Sequence, residues 1–467
     1  MNFSGYVVID DNEQELNEIH QCLVASGVPC LSIQYQNDDS NLSGIDHVDL
    51  SRFIPRVIIT DLNLTEGSLE PVNLAGAIAS LLETLIKSGP YILFFWSKNK
   101  ARVEPVVEIL LTRFAGRFPF PLHWGVIDKT EVRSSPGLLK EKLDSIIQEN
   151  PIFHGLLDWE SRITKAALEA SRSLYELSIP EVIDENYFIN HSQRLSDLLV
   201  AISHESIGKR NAESFPEAAV YSGLYPVLSD LLTKGSTPTS IWRDALTNIS
   251  SRITLDEKQK AALNSFYHIE EVPAEHSKSC KGVFVEICSD LLSDDTAKRK
   301  LELKLGRTLS DIFEQEFIST SNIQGDKTFR AERLQTAKDN ITLGFVELSP
   351  DCDQAQKKVK LNRYLIAALV PEEFRELTIY KFGGNIKDRA HDGIYRLPDI
   401  LLGGKIYTIL LSYKYQIGTN PSGEICGQEY HNKWFGIPKF RLKEQILNDI
   451  SYRCSQHLSR PGIVAFF

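Results

Sequence analysis

The sequence predicts an α/β protein with more than one domain: a doubly wound α/β domain over residues 1–150, a helical region over 151–276, and a mixed α+β binding or output domain over 277–467. Three observations carry this. Short apolar runs alternate with helical stretches through the first 130 residues, the strand–helix–strand order of a parallel sheet covered on both faces. From Leu138 to about Phe266 the pattern is helical, with apolar residues three and four apart. The last third mixes strand-like runs with Pro and Gly punctuation. A chain of 467 residues also exceeds one ordinary core, so roughly two to four domains are expected.

The first strands are Gly5–Ile9 (GYVVI), Arg56–Thr60 (RVIIT), Tyr91–Trp96 (YILFFW) and Trp124–Asp128 (WGVID). Apolar runs of this length read as strands buried on both faces. A fifth strand is expected near Pro29–Tyr35. Between them, Glu13–Ala25 sets Leu16, Ile19, Leu23 and Val24 on one helical face, and Val72–Lys87 and Val103–Phe114 behave alike. In the middle region Leu156, Trp159, Ile163, Ala166, Ala170 and Leu174 mark an amphipathic helix. Ile179-Pro180 and Lys234–Thr239 supply its stop signals. Ile341–Leu348, Asn362–Val370 and Lys405–Tyr413 read as strands of a small β-barrel or sheet. A closing helix is expected over Phe440–Leu458, with Leu442, Ile446, Leu447, Ile450 and Cys454 on one side.

Composition narrows the function classes. The chain is 42% hydrophobic and 24% charged, as soluble globular proteins are, and its net charge of −11 argues against a general nucleic-acid surface. No apolar stretch approaches the roughly 18–20 residues needed to span a bilayer. The opening MNFSGYVVIDDNEQ has no basic region of a signal peptide. Seven scattered cysteines, without a CxxC pair, suit a reduced, cytoplasmic protein.

The chemistry is concentrated where the strands end. The first run ends in Asp10-Asp11, the second in Asp61, the third in Ser97 and the fourth in Lys129. Ligands of open α/β sheets bind beyond the carboxyl ends of the strands, so these residues are expected to share one pocket. Three carboxylates, a hydroxyl and an ammonium suit Mg²⁺ and a phosphoryl group, because Mg²⁺ takes oxygen ligands and a phosphoryl group needs donors and cations. Each residue alone is a common loop residue; the set, in order and each at a strand end, is the signal.

Residues 1–150 thereby resemble the receiver domain of bacterial two-component response regulators, which has a flavodoxin-like fold. The resemblance implies that Asp10 and Asp11 form the acidic pair that binds Mg²⁺ together with the phosphoacceptor Asp61. It implies the hydroxyl role for Ser97, the ammonium role for Lys129, and a sensor histidine kinase as phosphodonor. Thr130 stands where the family usually has Pro, Val126 where it commonly has a switch aromatic, and the stretches from Asp61 to Ser97 to Lys129 are longer than usual. Toward the carboxy terminus, SPDCDQAQ and the late SRPG are similar to a module of bacterial anti-phage proteins. The overall arrangement resembles the receiver-containing accessory proteins of the Detocs two-component defence system, which implies a phosphate buffer that restrains a cognate effector.

Other residues attract blander readings. His204-Glu205 resembles a kinase phosphohistidine pair, but no glycine-rich ATP-binding boxes follow, and a surface histidine is preferred. Glu347, Asp351, Cys352 and Asp353, with Cys426 and His431, match no zinc spacing. Arg441, Arg453 and Arg460 read as a solvated face. The expectation is a phosphoacceptor regulator rather than an enzyme beyond its own phosphorylation. The alternatives are a receiver-controlled effector enzyme or toxin acting through residues 281–467, and a transcriptional regulator.

Overall fold

The computed structural model describes residues 3–36, 43–65, 70–134, 137–234, 240–247, 249–319, 323–349, 361–378, 381–382, 385–386, 393–419 and 434–458. The chain is mixed α/β and divides into two units, Met1–Arg172 with Leu228–Arg252, and Ser173–Val227 with Ile253–Phe467. Among the described residues no helix is long and apolar enough to cross a membrane.

The first unit carries β1 (Phe3–Asp10), α1 (Glu13–Ala25), β2 (Cys30–Gln34), β3 (Phe53–Asp61), α2 (Pro71–Leu85), β4 (Ile92–Trp96), α3 (Val103–Arg113), β5 (His123–Ile127), α4 (Lys129–Ser134), α5 (Gly137–Glu149) and, up to Arg172, α6 (Pro151–Leu177). Its strands are all parallel, in the order β2-β1-β3-β4-β5. That is the doubly wound order whose crevice lies between β1 and β3. Successive residues of a strand point to opposite faces, so apolar residues throughout imply helices on both. Val7, Ile9, Ile58, Leu93 and Phe95 pack with Leu74, Ile78 and Leu82 of α2 and Val106 and Leu110 of α3. Val8, Val57, Ile59, Ile92, Phe94 and Trp96 pack with Leu16, Ile19 and Leu23 of α1 and Leu139 and Leu143 of α5.

Local signals set the element ends. The Asn12 side chain accepts the Glu15 N–H at 3.1 Å and so caps α1. Gly27 follows the helix at φ +74°, a left-handed conformation that only glycine adopts without strain. On α6 the expected apolar face is narrower than its spacing suggests. Trp159 is 54% exposed, and burial falls on Phe153, Gly155, Ala166 and Ala170. Gly155 lacks a side chain because the Trp242 ring lies against it, 3.1 Å from where a Cβ would sit.

The second unit holds an antiparallel sheet. Its strands are β6 (Ile269–Glu271), β7 (Val283–Ile287), β8 (Thr342–Glu347), β9 (Asn362–Pro371), β12 (Ile394–Arg396), β13 (Ile400–Leu402), β14 (Lys405–Thr419) and β15 (Phe435–Leu442), and a separate two-stranded ribbon joins β10 (Lys381–Phe382) to β11 (Asn385–Ile386). The order is β12-β14-β9-β8-β7-β15-β6, with β13 pairing β14. The sheet thus recruits Ile269–Glu271, upstream of residue 277. Helix Glu257–His268 leads directly into that strand.

One expectation here is corrected. The closing helix runs Glu444–Leu458, whereas Phe440–Leu442 finish β15. Phe440 and Leu442 are fully buried with Arg441 less so between them, the period of two that a strand demands. Phe440 stacks on Phe284 of the neighbouring β7, ring centres 5.0 Å apart.

Candidate functional site

The strand tips of the first unit meet. Asp10 ends β1, Asp61 ends β3, Ser97 follows β4, and Lys129 opens α4 directly after β5. Parallel pairing brings all of these to the same edge of the sheet. Carboxylate oxygens of Asp10, Asp11 and Asp61 lie within 4.8 Å of one another. The Lys129 ammonium sits 2.9 Å from Asp61 Oδ1 and 3.2 Å from Asp10 Oδ2. Asp10 is fully buried, while Asp61, Ser97 and Lys129 are 8%, 6% and 4% exposed.

Backbone groups hold these side chains in place. Asp10 Oδ1 accepts the Asn12 N–H at 2.9 Å. Ser97 is tied by its own N–H to the Ile127 carbonyl at 3.1 Å, which links the tips of β4 and β5. The Ser97 hydroxyl oxygen accepts the Asn99 N–H at 3.0 Å. A hydroxyl has one proton to donate besides.

The electrostatics describe a site short of positive charge. Burial pushes the Asp10 carboxyl up to about 7; Lys129 pulls against that shift, and the neighbouring Asp61 adds to it. Burial likewise raises Asp61, with Lys129 opposing and Asp11 contributing. For Lys129 burial disfavours the charge, but Asp61 and Asp10 outweigh it and the pKa is raised. Carboxylates that stay above their ordinary range despite a touching ammonium would be relieved by another cation.

The donor set fits a hard divalent cation. All its ligands are carboxylate oxygens, the type Mg²⁺ selects. In an octahedron with bonds of about 2.1 Å, adjacent ligands stand about 3 Å apart and opposite ones about 4.2 Å, so carboxylate oxygens within 4.8 Å of one another would draw together around the ion. Asn63, two residues beyond Asp61, keeps a buried side-chain oxygen without a hydrogen-bond partner among the described residues.

Sequence reasoning passed over Glu15. Its carboxylate contacts the Lys129 ammonium through Oε2, while Oε1 lies 3.6 Å from Lys98 Nζ. The signal was present: Glu15 stands three residues after the helix-capping Asn12, the spacing that puts a carboxylate on the first turn, close to the strand tip that precedes it. It escaped notice because it lies on a helix and not at a strand end.

The remaining candidates separate from this site. His204 lies in the last turn of helix Tyr187–Ile207, where its carbonyl accepts the Gly208 N–H at 2.9 Å. In the second unit, Glu347 is fully buried at the end of β8 and accepts the Ser349 N–H at 3.0 Å. Arg441 pairs with Glu270 at 3.0 Å and Arg453 with Asp449 at 3.0 Å. Asp351, Cys352, Asp353, Cys426, His431 and Arg460 lie outside the described residues, as do most of SPDCDQAQ and the SRPG segment.

No family model matches the chain, and no curated protein does. Among solved structures, a fusion carrying a yeast Spc42 trimeric coiled coil aligns at 16% identity over 33% of this chain and 98% of that one, with a TM-score of 0.17. A likeness that slight carries no argument about fold or function.

Proposed function

We propose that the first unit is a receiver-like phosphoacceptor module that takes a phosphoryl group from a sensor histidine kinase on Asp61. On this reading the whole chain is a phosphate-accepting regulator in a bacterial anti-phage two-component pathway, acting on a cognate effector protein. The observation that supports it is the meeting of three carboxylates, a hydroxyl and a buried ammonium at the carboxyl edge of a parallel sheet ordered 2-1-3-4-5.

An Asp61 carboxylate oxygen attacks phosphorus in line. The P–N bond of the phosphohistidine breaks and its electron pair returns to the imidazole nitrogen, leaving an acyl phosphate on Asp61. Lys129, 2.9 Å from Asp61, is placed to neutralise an equatorial phosphoryl oxygen. The Ser97 hydroxyl donates its proton to another, drawing the loop after β4 inward. Asp10, Asp11 and Asp61 would hold Mg²⁺, which when bound neutralises charge on the transferred group.

Incubating the full chain and Asp61→Asn with Mg²⁺ and radiolabelled phosphohistidine donors tests the reading. Label is expected on the parent, absent from the variant, and labile to hydroxylamine as an acyl phosphate is. Label retained by Asp61→Asn would remove Asp61 as the acceptor.

A further inference from the structure

Glu15 has no part in the chemistry above, yet it touches the ammonium on which that chemistry depends. An ammonium has three N–H donors. Lys129 faces three carboxylates, Asp61 at 2.9 Å, Asp10 at 3.2 Å and Glu15 in direct contact. Its donors are therefore all committed before any phosphoryl group arrives. A phosphoryl oxygen approaching Asp61 can claim Lys129 before the new P–O bond forms only if one carboxylate lets go.

The surroundings single out which one. Asp10 is wholly buried and belongs to the candidate cation-binding set, and Asp61, as acceptor, keeps its charge until the new P–O bond forms. The Glu15 side chain lies further out, 18% exposed, and its second oxygen already faces Lys98 at 3.6 Å. The Lys98 side chain is 53% exposed, so it can advance on Glu15 with little desolvation. Lys98 also directly follows Ser97, on the loop that the phosphoryl group would draw in.

From this we infer that Glu15 is a positioning residue that restrains phosphoryl uptake: it holds Lys129 in the resting site and passes to Lys98 when Asp61 is phosphorylated. The exchange closes the existing 3.6 Å pair with Lys98 as it gives up the one with Lys129, so the ammonium is released without stranding a carboxylate. It also tightens, in the phosphorylated protein, the 3.6 Å contact that links the first turn of α1 to the β4–α3 loop. This rests on the phosphoacceptor reading of Asp61.

The test uses the full chain with Mg²⁺ and radiolabelled acetyl phosphate, a donor that needs no kinase docking. Glu15→Gln trades a charged hydrogen bond to Lys129 for a weaker neutral one, so its maximal labelling rate is expected to rise about five-fold with little change in the donor concentration at half-maximal rate. Glu15→Asp, one methylene shorter, should shift the same way by less. Lys98→Ala removes the receiving cation and should slow labelling, but should have no effect in the Glu15→Gln background, because the two act on one exchange. A merely structural Glu15 would produce equal or slower labelling in Glu15→Gln, with Lys98→Ala adding independently. That outcome overturns the restraint while labelling of the parent still upholds Asp61. A parent that takes no label at Asp61 from either donor class removes both.

Discussion

Removing the Lys129 ammonium is the sharpest perturbation of the site. Lys129→Met keeps most of the side-chain volume at a 4% exposed position but leaves Asp10, Asp61 and Glu15 facing one another. At an effective dielectric of about 20, charges 2.9 and 3.2 Å apart attract by about 5 to 6 kcal/mol each, before desolvation is set against them. Deleting one member of a buried pair has a net cost of about 3–5 kcal/mol, and the same is expected here. Two conditions should recover the loss. Mg²⁺ supplies the missing positive charge, so millimolar Mg²⁺ should raise the Tm of Lys129→Met by more than that of the parent. Lowering the pH toward 5 should narrow the gap, because carboxylates without their ammonium take up protons. Thermal unfolding followed by tryptophan fluorescence reads this unit, since Trp96, Trp124, Trp159 and Trp242 all lie in it. A variant within about 0.5 kcal/mol of the parent in EDTA, where ordinary surface substitutions fall, would refute the reasoning.

Two further outcomes follow from the same structure. The Asp10 carboxyl is raised from its ordinary value to about 7, so the folded state binds a proton that the unfolded chain releases. Its stabilising contribution is complete below about pH 4 and is lost as pH rises through about 7. In EDTA the unit's Tm, referenced to that of Asp10→Asn, should therefore fall between about pH 5 and 8, and saturating Mg²⁺ should flatten the slope; a slope unchanged by Mg²⁺ would argue against a cation at these carboxylates. In the second unit, a Cβ on Gly344 of β8 would lie 2.5 Å from both Phe284 Cζ and the Val285 carbonyl oxygen. Because the backbone oxygen cannot step aside, Gly344→Ala should destabilise that unit by about 2–3 kcal/mol, read in urea titrations of a chain whose other four tryptophans are replaced by Phe so that Trp434 alone reports, and an unchanged midpoint would contradict the packing.

How much could be read from the sequence differs between the two units. In the first, local and long-range signals agree. The spacing of Leu16, Ile19 and Leu23 marks α1, although Val24, expected on the same face, is 52% exposed, and the runs ending in Asp10, Asp61 and Ser97 are buried strands because both faces of a parallel sheet are covered. In the second, the signals compete. Leu442 fits the helical spacing of Ile446 and Ile450 as well as the strand alternation with Phe440, and pairing with β7 decides between them. Val283–Ile287 is five residues long with a glutamate inside it, too short for periodicity to identify. Glu15 was invisible for a different reason. Its significance lies in the distance to Lys129, 114 positions along the chain, which no local pattern encodes.

The sheet order distributes mechanical roles among the five tips. Asp10 and Asp61 stand on β1 and β3, interior strands hydrogen-bonded on both sides, which are the last to open in local fluctuations. Lys129 hangs from β5, an edge strand bonded on one side only and less deeply covered. The carboxylates are accordingly the anvil of the site and the ammonium its moving arm. Fraying at β5 would withdraw the counter-charge and leave the acidic floor standing.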